Sequence, residues 1–129
     1  MSVESTREVM MRYLEAHDES MLDQHAVFTI MATGYEARGR EAIGRLVHSF
    51  YHGVFEAQYN LKDMLIADGQ ACFEAEAIGR QQSEFAGIAP THKEIHVPFC
   101  VVYELENDMI TRGRIYFETD ALRQQVRTD

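Results

Sequence analysis

The chain has 129 residues and carries 12 Lys and Arg against 21 Asp and Glu, a formal net charge of −9. A chain of this length makes one domain, which buries roughly two thirds of the surface its unfolded form exposes and can spare a small internal cavity. The acidic balance argues against nucleic acid and anionic membrane as partners, because Lys and Arg hold both, and no apolar run approaches the roughly 18 residues of a membrane span. Cys72 and Cys100 both fall in strand-like segments, and the N-terminus lacks the basic-apolar-small pattern of a signal peptide. Reduced thiols in a cytoplasm are the expectation.

In chain order, a first helix opens at Ser2 or at the capping-box sequence Ser5-Thr6-Arg7-Glu8 and runs to about Ala16, with Val3, Met10, Tyr13 and Leu14 on one face. His17-Asp18 breaks it. A short turn or helix, Glu19 to Gln24, leads into a β-branched first strand, His25 to Ile30. Met31 to Arg38 forms a turn and a brief second strand that ends at Gly39. From Arg40, the apolar positions Ile43, Leu46, Val47, Phe50, Tyr51, Val54 and Phe55 recur at helical spacing.

Glu56 to Ala67 and Gln70 to Gln82 flank Asp68-Gly69, a hairpin signal. In the second of these strands Ala71, Ala75, Ala77 and Gly79 alternate around Phe73, and such small side chains leave room above one sheet face. Ser83 to Thr91 is a polar link, and the tail after Thr119 adds a final helical turn. Met10, Met11, Met31, Met64 and Met109 are expected as adaptable core fillers.

Between link and tail lies the most strongly patterned stretch, two long alternating runs around Asn107-Asp108, a dipeptide suited to a two-residue turn. Counting outward from a regular turn, Leu105 faces Ile110, Tyr103 faces Arg112, Val101 faces Arg114, Phe99 faces Tyr116 and Val97 faces Glu118, all on one side. The other side pairs Cys100 with Ile115 and Val102 with Gly113. Both faces are largely apolar, which predicts helices over one and a second subunit over the other. Pro98 cannot donate a ladder hydrogen bond to the neighbouring strand, so a bulge is expected near it.

Pro90-Thr91-His92-Lys93, the turn at Asn107-Asp108, Tyr116-Phe117-Glu118 and the closing Leu122-Arg123-Gln124-Gln125 together resemble the SnoaL-like polyketide cyclases of the nuclear transport factor 2-like superfamily. Gly39-Arg40-Glu41-Ala42-Ile43 resembles the start of that family's long middle helix, so the likeness covers most of the chain. It implies an α+β fold, a cone-shaped barrel whose curved antiparallel sheet is wrapped by the N-terminal helices. It also implies a hydrophobic, carbonyl-bearing small-molecule partner, a homodimer joined through the outer sheet face, and acid/base chemistry with no cofactor and no metal.

Glu118 is the candidate acid/base. On the counted register it sits among Tyr116, Phe99, Val97 and Val101, where desolvation raises a carboxylate's pKa, and the resemblance places the family's catalytic Asp at this position. The alternative is a strand-end carboxylate that reaches solvent or pairs with an arginine. Tyr13, Tyr35, Phe50, Phe73, Phe99, Tyr103, Arg114 and Tyr116 are the candidate substrate-binding residues. Arg112 and Arg114 either orient a polar substrate or form a solvated edge. His48 and His52 have a chelating i, i+4 spacing, yet they lie opposite the apolar stripe of their helix, which reads as a solvated face. Ketosteroid isomerases of the same superfamily need a carboxylate just after the first strand, and Phe28 to Gly34 contains none. A binding protein without catalysis, or a dimerisation module whose cavity is filled by its own side chains, are the alternatives to an enzyme.

Overall fold

The computed structural model describes residues 1–127. Ser2 opens the first helix, α1 (Val3–Ala16): its hydroxyl accepts the Ser5 N–H at 3.0 Å while the Ser5 hydroxyl accepts the Ser2 N–H at 3.0 Å, a reciprocal cap. The next turn is tied to the sheet. Thr6 is fully buried, donating to the Ser2 carbonyl at 2.7 Å and accepting the N–H of Gly69, in the turn of the first long hairpin, at 3.0 Å. Met10 and Tyr13 are buried on the same face.

After a 3₁₀ turn at Glu19–Met21 come β1 (Leu22–Ile30), β2 (Tyr35–Arg38) and α2 (Arg40–His52). The first strand thus starts at Leu22 rather than His25, because fully buried Leu22 pairs with Ile110 and is drawn into the sheet. The remaining elements are β3 (Phe55–Ala67), β4 (Gln70–Gln81), β5 (Glu94–Glu106), β6 (Met109–Phe117) and α3 (Thr119–Gln125). Met10 is buried as expected, whereas Met11 and Met31 lie on the surface.

The six strands form one α+β sheet in the order β2-β1-β6-β5-β4-β3. It is mixed, not wholly antiparallel. The β3-to-β6 meander returns its last strand beside β1 running in the same direction, and that pair is parallel. The sheet has two free edges and does not close into a barrel. Helices α1 and α2 cover its inner face.

The Asn107-Asp108 turn forms as anticipated, with both residues at positive φ (51° and 61°). The irregularity of the hairpin is not near Pro98. Leu105 pairs with Ile110, but Glu104 pairs with Arg112, so Thr111 is the extra residue, its hydroxyl bonded to the Glu104 carbonyl at 3.1 Å. Pro98 needs no bulge because β6 ends at Phe117, and the proline carbonyl simply accepts the N–H of Glu118 at 3.2 Å.

The motifs that flank this hairpin hold α3. Where β6 has ended, the Gln125 side chain takes its place beside β5, accepting the His96 N–H at 2.7 Å and donating to the His96 carbonyl at 2.8 Å. Thr91 donates to the Val126 carbonyl at 2.9 Å and Lys93 to that of Arg127, satisfying carbonyls beyond the last helical turn.

Replacing Thr6 by Val strips the Gly69 N–H of its buried partner. The expected loss is about 1–3 kcal/mol, read as a lower denaturant midpoint with an unchanged m-value.

Candidate functional site

The bulge at Thr111 decides what faces the helices. Beyond it the register is shifted by one, so Phe99 pairs with Phe117, Val101 with Ile115 and Tyr103 with Gly113. A one-residue slip sends each side chain to the opposite face. Ile115 and Phe117 therefore point inward, while Arg112, Arg114, Tyr116 and Glu118 leave the face on which the regular count placed them.

On the inner face, side chains from α1, α2 and five of the six strands line a half-open cavity of about 80 Å³. Its wall is aromatic. Phe28 crosses from β1 over Gly113, where an added Cβ would stand 2.8 Å from the ring, so the glycine makes the space for it. Tyr13, Phe28 and Tyr103 meet edge to face at centroid distances of 5.9–6.3 Å. On the opposite side Phe50, Phe99 and Phe117 close the wall, and Phe73 lies 5.9 Å from Phe99. The small residues Ala71, Ala75 and Ala77 of β4 are buried on this face.

Four tyrosines bring hydroxyls to this apolar space. The Tyr59 hydroxyl donates to the Phe50 carbonyl at 2.5 Å and locks α2 onto β3. The Tyr51 hydroxyl lies 3.2 Å from Nε2 of His17. Neither the Tyr13 nor the Tyr103 hydroxyl has a hydrogen-bond partner among the described residues, although both side chains are buried. Burial pushes the phenols of Tyr13, Tyr59 and Tyr103 well above the usual tyrosine value, and the neighbouring Tyr51 adds to the effect in each. They stay neutral at every ordinary pH and can donate hydrogen bonds.

At one end the cavity meets a wider cleft of about 410 Å³, which shares Tyr13, His17, Val47 and Tyr51 with it. Glu19, His48 and His52 line the outer part of that cleft. His48 and His52 thus stand at the mouth of the site, and Nδ1 of His52 lies 2.9 Å from Glu56. No cluster among the described residues offers three His, Cys, Asp or Glu ligands to a metal ion.

A family model for the SnoaL-like polyketide cyclases matches residues 7–126. The chain belongs to the SnoaL-like polyketide cyclase family. Solved structures share its fold. A candidate SnoaL-like polyketide cyclase from Jannaschia sp. CCS1 superposes with a TM-score of 0.79 at 12% identity, over 95% of this chain and 92% of that one. A candidate polyketide cyclase from Silicibacter sp. TM1040 gives 0.78 at 16% identity, over 99% of both chains. A protein with a ketosteroid isomerase-like fold from Catenulispora acidiphila, solved in complex with trimethylamine, gives 0.71 at 14% identity, over 94% and 93%. At such identities the likeness is one of fold. Among curated proteins none matches.

Within this SnoaL-like scaffold, Tyr13, Phe50, Phe73, Phe99 and Tyr103 come together around the cavity. The other sequence candidates lie elsewhere. Tyr35 is 55% exposed on edge strand β2. Arg114 bonds to Glu104 on the outer face, and Tyr116 is 41% exposed. Glu118 is exposed at the start of α3, and its charge helps to raise the pKa of Cys100, a thiol on the outer face of β5, after burial and the neighbouring Cys72. Its expected apolar surroundings depended on the unshifted register.

His17, Tyr51 and Tyr59 were not among the predicted site residues. Tyr51 belongs to the helical pattern of α2, but His17 comes to the cavity through a left-handed backbone (φ 48°) after α1, for which a histidine gives no sequence signal.

The raised phenol values carry a pH signature. Below about pH 10, the ordinary tyrosine value, folded and unfolded chains hold the same phenolic protons. Above it only the unfolded chain releases them, so stability falls as pH rises through the elevated folded values. Ultraviolet titration near pH 10 to 11 is expected to show less tyrosinate in the folded protein than in the guanidinium-unfolded chain, with the remainder appearing as alkaline unfolding proceeds.

Proposed function

We propose that the chain binds a small, largely apolar compound bearing a carbonyl or similar acceptor oxygen, with its apolar part among the rings and its oxygen on Tyr13 and Tyr103. The observation that carries this reading is the pair of phenols on the cavity wall, Tyr13 and Tyr103, whose hydroxyls hold no hydrogen bond to the described residues. A phenol hydroxyl on an otherwise apolar wall is a ready donor, and a bound carbonyl oxygen would give these two a partner. The free volume of about 80 Å³ is about half that of a 150 Å³ cavity able to take benzene. A larger substrate must therefore extend through the mouth into the cleft. The trimethylamine complex of the Catenulispora relative supports the use of this fold for small ligands.

Acid/base turnover of such a compound, as in a cyclase or isomerase, is the catalytic form of the same proposal, and simple binding is the other. Glu118 enters it through the family resemblance alone. A fall in turnover in Glu118→Gln would restore that role, and an intact rate would remove it. A cytoplasmic location is the proposal that the two free cysteines suggest.

Butan-2-one and its hydrocarbon isostere 2-methylbut-1-ene separate acceptor recognition from mere filling. The chain contains no tryptophan, so tyrosine fluorescence and ligand-detected NMR report on the cavity directly. The ketone is expected to bind saturably and more tightly than the alkene, and Tyr103→Phe to weaken ketone binding by about 5- to 10-fold. Equal affinity for the two compounds would overturn the reading.

The homodimer belongs to the proposal as well. Half-buried Cys72, Cys100 and Val102, with exposed Leu65 and Tyr116, lie on the outer sheet face, away from the helices. Val102→Glu would place an unpaired charge at the centre of such an interface, and sedimentation is expected to show a dimer converted to a folded monomer.

A further inference from the structure

We propose that His17 and Tyr51 form a proton-relay couple at the cavity mouth, the acid/base centre through which the protein enolises a carbonyl compound. This rests on the ligand reading above. Among the cavity-lining residues there is no Asp, Glu, Cys or Lys, and His17 is the one whose side-chain type exchanges protons between pH 5 and 8. Its Nε2 is 3.2 Å from the Tyr51 hydroxyl, with the two rings edge to face at 5.1 Å. Both residues line the cavity as well as the cleft. The couple thus spans the opening, with exposed His17 toward solvent and the Tyr51 hydroxyl toward the buried phenols of Tyr13 and Tyr103.

The chemistry needs no external reagent. With the His17 proton on Nδ1, Nε2 is free to accept. The α C–H bond of the ligand breaks as its proton passes to the Tyr51 oxygen and the phenolic proton moves to Nε2 of His17. The C–H electron pair becomes the enolate double bond, and the negative charge on the former carbonyl oxygen is met by the hydroxyls of Tyr13 and Tyr103. The imidazolium returns a proton by the same path, to the original carbon or to another position of the extended enolate, or exchanges it with water at the exposed edge of His17. Glu19 of the 3₁₀ turn and His48 and His52 of α2 are the titratable groups facing the couple across the cleft, and Arg12 and Asp18 pair at 3.7 Å behind it.

The backbone at His17 makes a discriminating test possible. Its φ of 48° suits asparagine at least as well as histidine, so His17→Asn removes the imidazole without straining the end of the helix, and Tyr51→Phe removes the hydroxyl while keeping the ring. Deuterium uptake at the α-positions of butan-2-one in D₂O, followed by proton NMR, measures enolisation directly. The wild type is expected to accelerate uptake saturably. His17→Asn and Tyr51→Phe should each lower the rate by about 10²-fold or more, the double variant should lose little further, and His25→Gln, on the exposed surface of β1, should keep it. Thermal melting should show both single variants folded. Exchange undiminished in either variant overturns the proposal. Wild-type binding without exchange overturns it and leaves the ligand reading standing, whereas absence of saturable binding overturns both.

Discussion

Between the Leu105–Ile110 pair and the Glu104–Arg112 pair, β6 carries one residue that β5 does not match, Thr111. Because side chains alternate along a strand, that one insertion turns Ile115 and Phe117 toward the helices and sends Arg112, Arg114, Tyr116 and Glu118 outward. The cavity depends on this. Without the bulge two arginines would be driven among the rings of Phe28, Phe99 and Tyr103, and their desolvation would oppose folding far more strongly than any local pairing could offset. Gly113 meets the same requirement one step further along, since the Phe28 ring occupies the place of its missing side chain.

The interior this creates is apolar in its carbon skeleton and polar at a few selected points. Tyr59 anchors α2 to β3, and Thr6 anchors α1 to the Gly69 turn, so both helices hold fixed positions over the sheet. Tyr13 and Tyr103 are buried and packed edge to face, and their hydroxyls hold no hydrogen bond to the described residues. On the ligand reading proposed above, a preformed site of this kind would lose little ordering entropy on binding. The space within this wall is small. Its free volume is about 80 Å³, and it opens toward His17 and the α2 histidines in the cleft.

The motifs that mark the family have structural work of their own here. Thr91 and Lys93 bind the carbonyls at the end of α3, Leu122 is fully buried, and Gln125 stands in for a strand where β6 stops. They fasten the last helix across the end of the hairpin. A motif can therefore report a fold faithfully while saying little about the reaction that the fold carries.

Much of the architecture was legible in the sequence because it follows from local chemistry: a capped helix start at Ser2 or Ser5, of which the structure takes Ser2, the apolar stripe of α2, the positive-φ turn at Asn107-Asp108, and the small-residue face of β4. Phe50, Phe73, Phe99, Tyr13 and Tyr103 could be assigned to the cavity because their facing depends on their own elements alone. What the sequence could not determine is relational. Whether β6 pairs in register 215 or 216 (the summed numbers of facing residues, Leu105 with Ile110 against Glu104 with Arg112) is decided by Phe28 arriving from β1 and by the energy of burying Arg114. The parallel pairing of β1 with β6 and the approach of His17 to Tyr51, 34 positions along the chain, depend likewise on contacts between distant segments. Tertiary packing alone decided these, because each is settled by desolvation and ring contact summed over several elements rather than by the preference of any one residue.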